Sequence, residues 1–193
     1  MNAEASDVLD FWFGPAGSAE STQPRAEWFR KDAAFDAAIA GRFGPRVEQA
    51  LAGELDGWQA DPRSALARIL LLDQFTRNIF RGSARAFAAD ALALAGARAM
   101  VRAGADLALP PLQRAFVYMP FEHAEELAAQ DEAVRLFGAL AAEDPSQAGM
   151  LDYARRHRAI VARFGRFPHR NALIGRASTP QELAFLQEPG SGF

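Results

Sequence analysis

Asp61-Pro62-Arg63-Ser64-Ala65-Leu66-Ala67-Arg68-Ile69-Leu70-Leu71-Leu72-Asp73-Gln74-Phe75-Thr76-Arg77-Asn78-Ile79-Phe80 carries the clearest helical signal in the chain. Asp61 is a side-chain cap. Pro62 follows at the first helical position, where a missing N–H costs nothing because no partner exists for it there. Leu66, Leu70, Asp73, Arg77 and Phe80, at i, i+4, i+7, i+11 and i+14, share one face. Gly82-Ser83 ends the segment.

The same grammar repeats on both sides. Upstream, Ser6 reads as the cap of a helix carrying Val8, Leu9, Phe11 and Trp12 that stops at Gly14-Pro15. A short turn holds Trp28 and Phe29. Asp32 caps a helix with Phe35, Ile39 and Phe43, and Gly44-Pro45 is expected to break it, leaving a short helix to Leu51. Downstream, helices are expected over 84–103, 110–118, 120–142 and 144–165, and Thr179-Pro180-Gln181-Glu182 reads as a capping box for a last short one. No segment has a strand pattern. The expectation is an all-α fold of about ten helices in stacked antiparallel hairpins, forming one domain over 1–193 with a loose tail at 187–193. No fixed-period repeat marks a regular solenoid.

The 193 residues, half of them hydrophobic, suffice for one sizeable core. Without cysteine there is no disulfide, thiolate ligand or cysteine nucleophile, which fits a reducing compartment. The first residues lack a basic stretch followed by an apolar run, so the cytoplasm is the expected location. The most apolar stretches, 65–72 and 86–101, are interrupted by Arg68, Asp90 and Arg98, so no membrane partner is expected. A net charge of −3 argues against nucleic acid. Of 21 basic residues only Lys31 is a lysine.

Two further stripes match that of 61–80: His123, Leu127, Gln130, Val134, Phe137 and Met150, Ala154, His157, Val161, Phe164. Ionisable groups on such faces must find partners or water, because an unpaired buried charge costs several kcal/mol. They pair with one another or line a shared polar cavity. Asp73 and Arg77, four apart, can pair along their own helix. Glu122 and Glu126 flank His123 in the first turns of the helix expected over 120–142, where carboxylates suit the positive end of the dipole.

Arg163-Phe164-Gly165-Arg166-Phe167-Pro168-His169-Arg170-Asn171 has the composition of a binding loop. Gly165 can end a helix in the left-handed conformation, and Phe167 before Pro168 is pushed toward extended geometry. Arg163, Arg166 and Arg170 offer forks suited to phosphate or carboxylate, with His169 and Asn171 as further donors. The alternative is that these arginines crosslink the C-terminal segment to helix carboxylates. His123, Glu126, His157 and His169 are permissible metal ligands, but no Glu-x-x-His pair or His-Glu-x-x-His motif occurs, and no metal is expected. His123 or His157 beside a carboxylate could serve as a general base. Thr76, Ser83, Tyr118 and Tyr153 stand in no activation motif, and no cofactor can be named.

Three motifs in order, Leu72-Asp73-Gln74-Phe75-Thr76-Arg77-Asn78-Ile79-Phe80-Arg81, Met119-Pro120-Phe121-Glu122-His123-Ala124-Glu125 and Phe164-Gly165-Arg166-Phe167-Pro168-His169-Arg170-Asn171, resemble the bacterial family called domain of unknown function 924. The opening Val8-Leu9-Asp10-Phe11-Trp12-Phe13-Gly14 matches as well; Thr76 departs from the pattern, which has proline there. The resemblance implies an all-helical fold similar to tetratricopeptide-repeat proteins and names no activity. Together with the stripes, it points to a pocket walled by Asp73, Arg77, Glu122, His123, Glu126, His157, Arg166, His169, Arg170 and Asn171 that binds a small anionic ligand, with catalysis left open. The alternative is a non-enzymatic module that holds a protein or peptide partner in an apolar groove using Trp58, Phe87 or Phe116. A third reading makes the motifs internal ion pairs alone.

Overall fold

The computed structural model describes residues 2–192, and its first helix, α1 (Ala3–Phe13), begins earlier than expected. Asn2, as good a cap as serine, accepts the Glu4 N–H at 2.8 Å, and the longer helix buries Ala5 with Val8, Leu9 and Trp12. Ser6 instead turns its hydroxyl to Asp10. Asp32 caps α2 (Ala33–Leu51), which runs on through Gly44-Pro45. Proline removes one helical hydrogen bond, at the carbonyl of Gly41. Gly41, whose carbonyl is left over, is exposed, so water can take that role, while Phe43 and Val47 on either side of the proline are fully buried and hold the two halves on one face.

Helix α3 is continuous over Pro62–Leu70, Leu71–Phe75 and Thr76–Ile79, the middle five residues being π-helical. Thr76, where the family pattern has proline, donates its hydroxyl to the Leu72 carbonyl at 2.7 Å. The remaining helices are α4 (Asp90–Ala103), α5 (Pro111–His123), α6 (Leu127–Glu143), α7 (Ala148–Phe164) and α8 (Pro180–Phe185). Among the described residues there are eight α-helices with short 3-10 turns between them and no strand, so the fold is all-α. The larger count of about ten came from splitting α2 at Pro45 and from the turn at Ala26–Trp28, which is 3-10.

The break between α5 and α6 also differs from expectation. Helix α5 passes through Pro120 and ends at His123, and α6 starts after Glu126. The free carbonyls are capped by a side chain: buried Gln130 donates its amide to the carbonyls of Glu122 at 2.6 Å and Ala124 at 2.7 Å. Glu122 and His123 therefore occupy the C-terminal end of one helix, where a cation rather than a carboxylate suits the dipole. The stripe drawn through His123 and Leu127 does not exist, and Leu127 is exposed.

The chain forms two compact units, one comprising the described residues of 1–81 with Arg85–Pro120, the other Gly82–Ala84 with the described residues of 121–193. The first is built on an aromatic core. Trp28 and Phe116 rings lie 4.9 Å apart, Trp12 and Phe75 5.3 Å, and Phe43 and Phe75 5.1 Å. Trp58 and Phe116 are buried, at 7% and 1% exposure, which removes them as anchors of an exposed peptide groove. In the second unit α6 and α7 pack side by side through a four-residue connection, the antiparallel hairpin expected for so short a link, with Arg158 of α7 bonded to Asp131 of α6 at 2.5 Å. Ile160, Val161, Phe167 and Phe185 make its smaller core. Of the tail, Gln187, Glu188 and Ser191 make turn hydrogen bonds, and Phe193 lies outside the described residues.

Candidate functional site

Asp73 and Arg77 lie in the first unit. Asp73 is fully buried in the π-helical stretch, its Oδ1 3.1 Å from Arg77 Nη1 and its Oδ2 accepting from Gln74 at 2.6 Å. Arg77 also reaches Asp90 Oδ1 at 3.0 Å. Burial alone would lower the Arg77 pKa, but the two carboxylates outweigh it and hold the pKa above the ordinary arginine value. One guanidinium between two acids is an internal tie, as the i, i+4 spacing allowed.

The other eight residues lie in the second unit, and five of them meet around Phe167. His157, buried on α7, is 3.0 Å from Glu122 Oε1 through Nδ1, which also faces the Tyr153 carbonyl at 2.9 Å. Two acceptors facing one nitrogen require the hydrogen to sit on Nδ1. The rings of His157 and His169 lie 5.5 and 5.7 Å from that of Phe167, and the Arg170 guanidinium 4.6 Å over it. Arg170 donates to the His123 carbonyl at 3.0 Å, and the His123 and His157 rings are 6.2 Å apart.

Arg166 and Asn171 belong to a second cluster. Gly165 ends α7 at φ 69°, and Phe167 is extended before Pro168, as the sequence required. Arg166 then places Nε and Nη2 on the two oxygens of Glu182, at 2.6 and 2.8 Å. Glu182 completes the capping box by accepting the Thr179 N–H at 2.7 Å, and Asn171 donates to the same carboxylate at 3.4 Å. Glu182 is covered by its own partners, and the Arg166 fork, against a desolvation cost, holds its pKa down at about 2. Glu126 is exposed before α6, where its backbone carbonyl accepts from the N–H groups of Ala129 and Gln130.

Three partners escaped the sequence reading. Arg176 binds Glu125 through Nη1 at 2.5 Å and Nη2 at 2.7 Å, while Glu125 also accepts the Phe167 N–H at 2.7 Å. Burial would raise the Glu125 pKa, but those donors more than reverse it, and the pKa is lowered. Glu125 sits inside a quoted motif and Glu182 inside the capping box, so both were visible as residues. What tied them to the loop was not, since each partner lies many positions away. The crosslinking alternative for the loop therefore accounts for Arg166.

It does not account for Arg163. With Phe164, Arg166, Thr179, Gln181 and Glu182, this residue lines a hollow of about 390 Å3 on the second unit. Its guanidinium rests 4.6 Å from the Phe164 ring and 5.6 Å from that of Phe185, and makes no ion pair among the described residues. No three His, Asp or Glu side chains among the described residues are grouped to hold a metal ion. No helix among them is long and apolar enough to cross a membrane.

Residues 8–190 match the family described as "Bacterial protein of unknown function (DUF924)". The chain belongs to this family. A solved structure, that of a protein of unknown function, ATU0120, from Agrobacterium tumefaciens, is 44% identical, with a TM-score of 0.84 over 96% of this chain and 97% of that one. No curated protein matches the chain.

Proposed function

We propose that this member of the family binds a small phosphate- or carboxylate-bearing molecule of the cytoplasm in the hollow beside Arg163. The observation that supports this is the contrast between two neighbouring arginines. Arg166 is neutralised by the Glu182 carboxylate, whereas Arg163 is held in place by two aromatic rings that leave its donors unspent. The hollow has a net charge of +1 from Arg163, Arg166 and Glu182. Two charge-assisted hydrogen bonds at about 1.5–3 kcal/mol each support an affinity near millimolar for inorganic phosphate. A larger molecule that fills the hollow and keeps the anionic group binds more tightly.

A thermal-shift screen of inorganic phosphate, short dicarboxylates and nucleotides tests this reading, with wild type beside Arg163→Gln. At tenfold excess over Kd a ligand stabilises the folded protein by roughly 1.4 kcal/mol. At least one anion raises the wild-type midpoint and leaves Arg163→Gln unmoved. Equal shifts in both proteins, or none in either, overturn the proposal.

A further inference from the structure

A buried arginine in the first unit has donors that the fold does not use. Arg68, on the buried face of α3, is only 4% exposed. Its one hydrogen bond among the described residues runs from Nη2 to Asp56 Oδ1, at 2.6 Å, and the Asp56 side chain is 63% exposed. Nε is buried and bonds to nothing among the described residues. Nη1 points at Gly96 on α4, close enough that a Cβ there would lie 3.4 Å away. A guanidinium so placed has been taken out of water with most of its donors unanswered, which costs free energy unless something returns to them.

There is room for that something. Arg68 borders a cavity of about 260 Å3 between α3 and α4, floored by Ala65, Ile69, Gly96 and Met100, and open at a rim that includes Gln59 and Ala103. The floor is apolar apart from the arginine, and small residues on α4 keep the space clear. An apolar cavity of about 150 Å3 suffices for benzene, so this one takes an aromatic ring or branched chain with a carboxyl group attached. A neutral apolar molecule would leave Arg68 as it is, and a bare inorganic anion would leave the apolar walls wet. A carboxylate on a short apolar body answers both.

We propose that this cavity is a binding site for small monocarboxylates with an apolar body, the carboxylate accepting from Arg68 Nη1 beside Gly96 and the body lying against Ile69 and Met100. The site lies wholly within the first unit and does not depend on the hollow at Arg163.

Benzoate and its neutral counterpart benzamide are the probes. Binding is followed by methyl NMR of the four methionines, of which Met100 lines the cavity, and by calorimetry. Wild type binds benzoate saturably with the Met100 methyl shifting most, at least about tenfold more tightly than benzamide, as a charge-assisted hydrogen bond requires. Arg68→Met, close in volume and apolar, removes that preference while both probes still shift Met100. Ala99→Leu, which fills the cavity and leaves Arg68 in place, abolishes both. If Arg68→Met fails to fold, Ala99→Leu and the benzoate-to-benzamide ratio of wild type still decide. The proposal is overturned if the two probes bind equally, if neither moves Met100, or if Ala99→Leu binds benzoate as wild type does.

Discussion

Helix α3 and the segment after Gly165 both carry buried charge, but they hold it in opposite ways. In α3 the backbone is set by helical hydrogen bonds and by apolar neighbours such as Leu66, Leu70 and Phe75, all fully buried; Asp73 and Arg77 are carried on that frame. After Gly165 the side chains set the backbone. Glu125 takes the Phe167 N–H, Arg176 donates to the Phe167 carbonyl at 3.3 Å and to Asn171 at 2.9 Å, and Arg170 reaches back to His123. The same residue types are thus cargo in one region and scaffold in the other, so equal substitutions should have unequal consequences.

The largest effect is expected in α3. Asp73→Ala removes one of two acids from Arg77 and leaves its guanidinium, a fifth of whose side chain meets solvent, partly unmatched, at a cost of about 3 kcal/mol in urea unfolding. The helix should persist, so far-ultraviolet circular dichroism of the folded mutant stays at the wild-type level. A cost below about 1 kcal/mol would mean that Asp90 alone satisfies Arg77.

Glu182→Gln comes next, at about 2 kcal/mol, because it weakens the Arg166 fork and the capping box together. Here the loss should be local, seen as faster amide exchange over 166–182 before global unfolding. The mutant also reports on pH. A carboxylate whose pKa falls from 4.5 to about 2 on folding contributes stability that is present above 4.5 and lost as pH drops through that window. Wild type should therefore lose its advantage over Glu182→Gln between those values, and a constant difference across them would contradict the ion pair.

Gly165→Ala forces a side chain into a left-handed position at φ 69° and should cost about 1–2 kcal/mol, read from the thermal midpoint. The smallest effect belongs to Arg163→Gln, within about 0.5 kcal/mol, since its exposed head makes no ion pair among the described residues.

Much of the fold was legible because caps and apolar spacing are local. Asp32, Asp61, the Thr179 capping box and the glycines ending α4 and α7 each act within a turn of where they stand. The misreadings share a cause. Gly44-Pro45 looked like a stop because local propensity disfavours it, and burial of Phe43 and Val47 overrode that preference. The end of α5 was invisible because its cap, Gln130, arrives from the next helix. For the same reason the sequence put ten residues, Asp73 and Arg77 among them, into one pocket, and could not divide Arg163 from Arg166. That division depends on Glu182, sixteen residues further on.

The most direct test is a titration with inorganic phosphate at low salt, followed through arginine side-chain Nε–H signals in two-dimensional NMR. The Arg163 signal should move saturably with a Kd near millimolar, while that of Arg166, already bound to Glu182, stays within its unligated position. Movement of Arg166 with Arg163 unchanged, or no saturable movement of either, would contradict the division of labour between the two arginines.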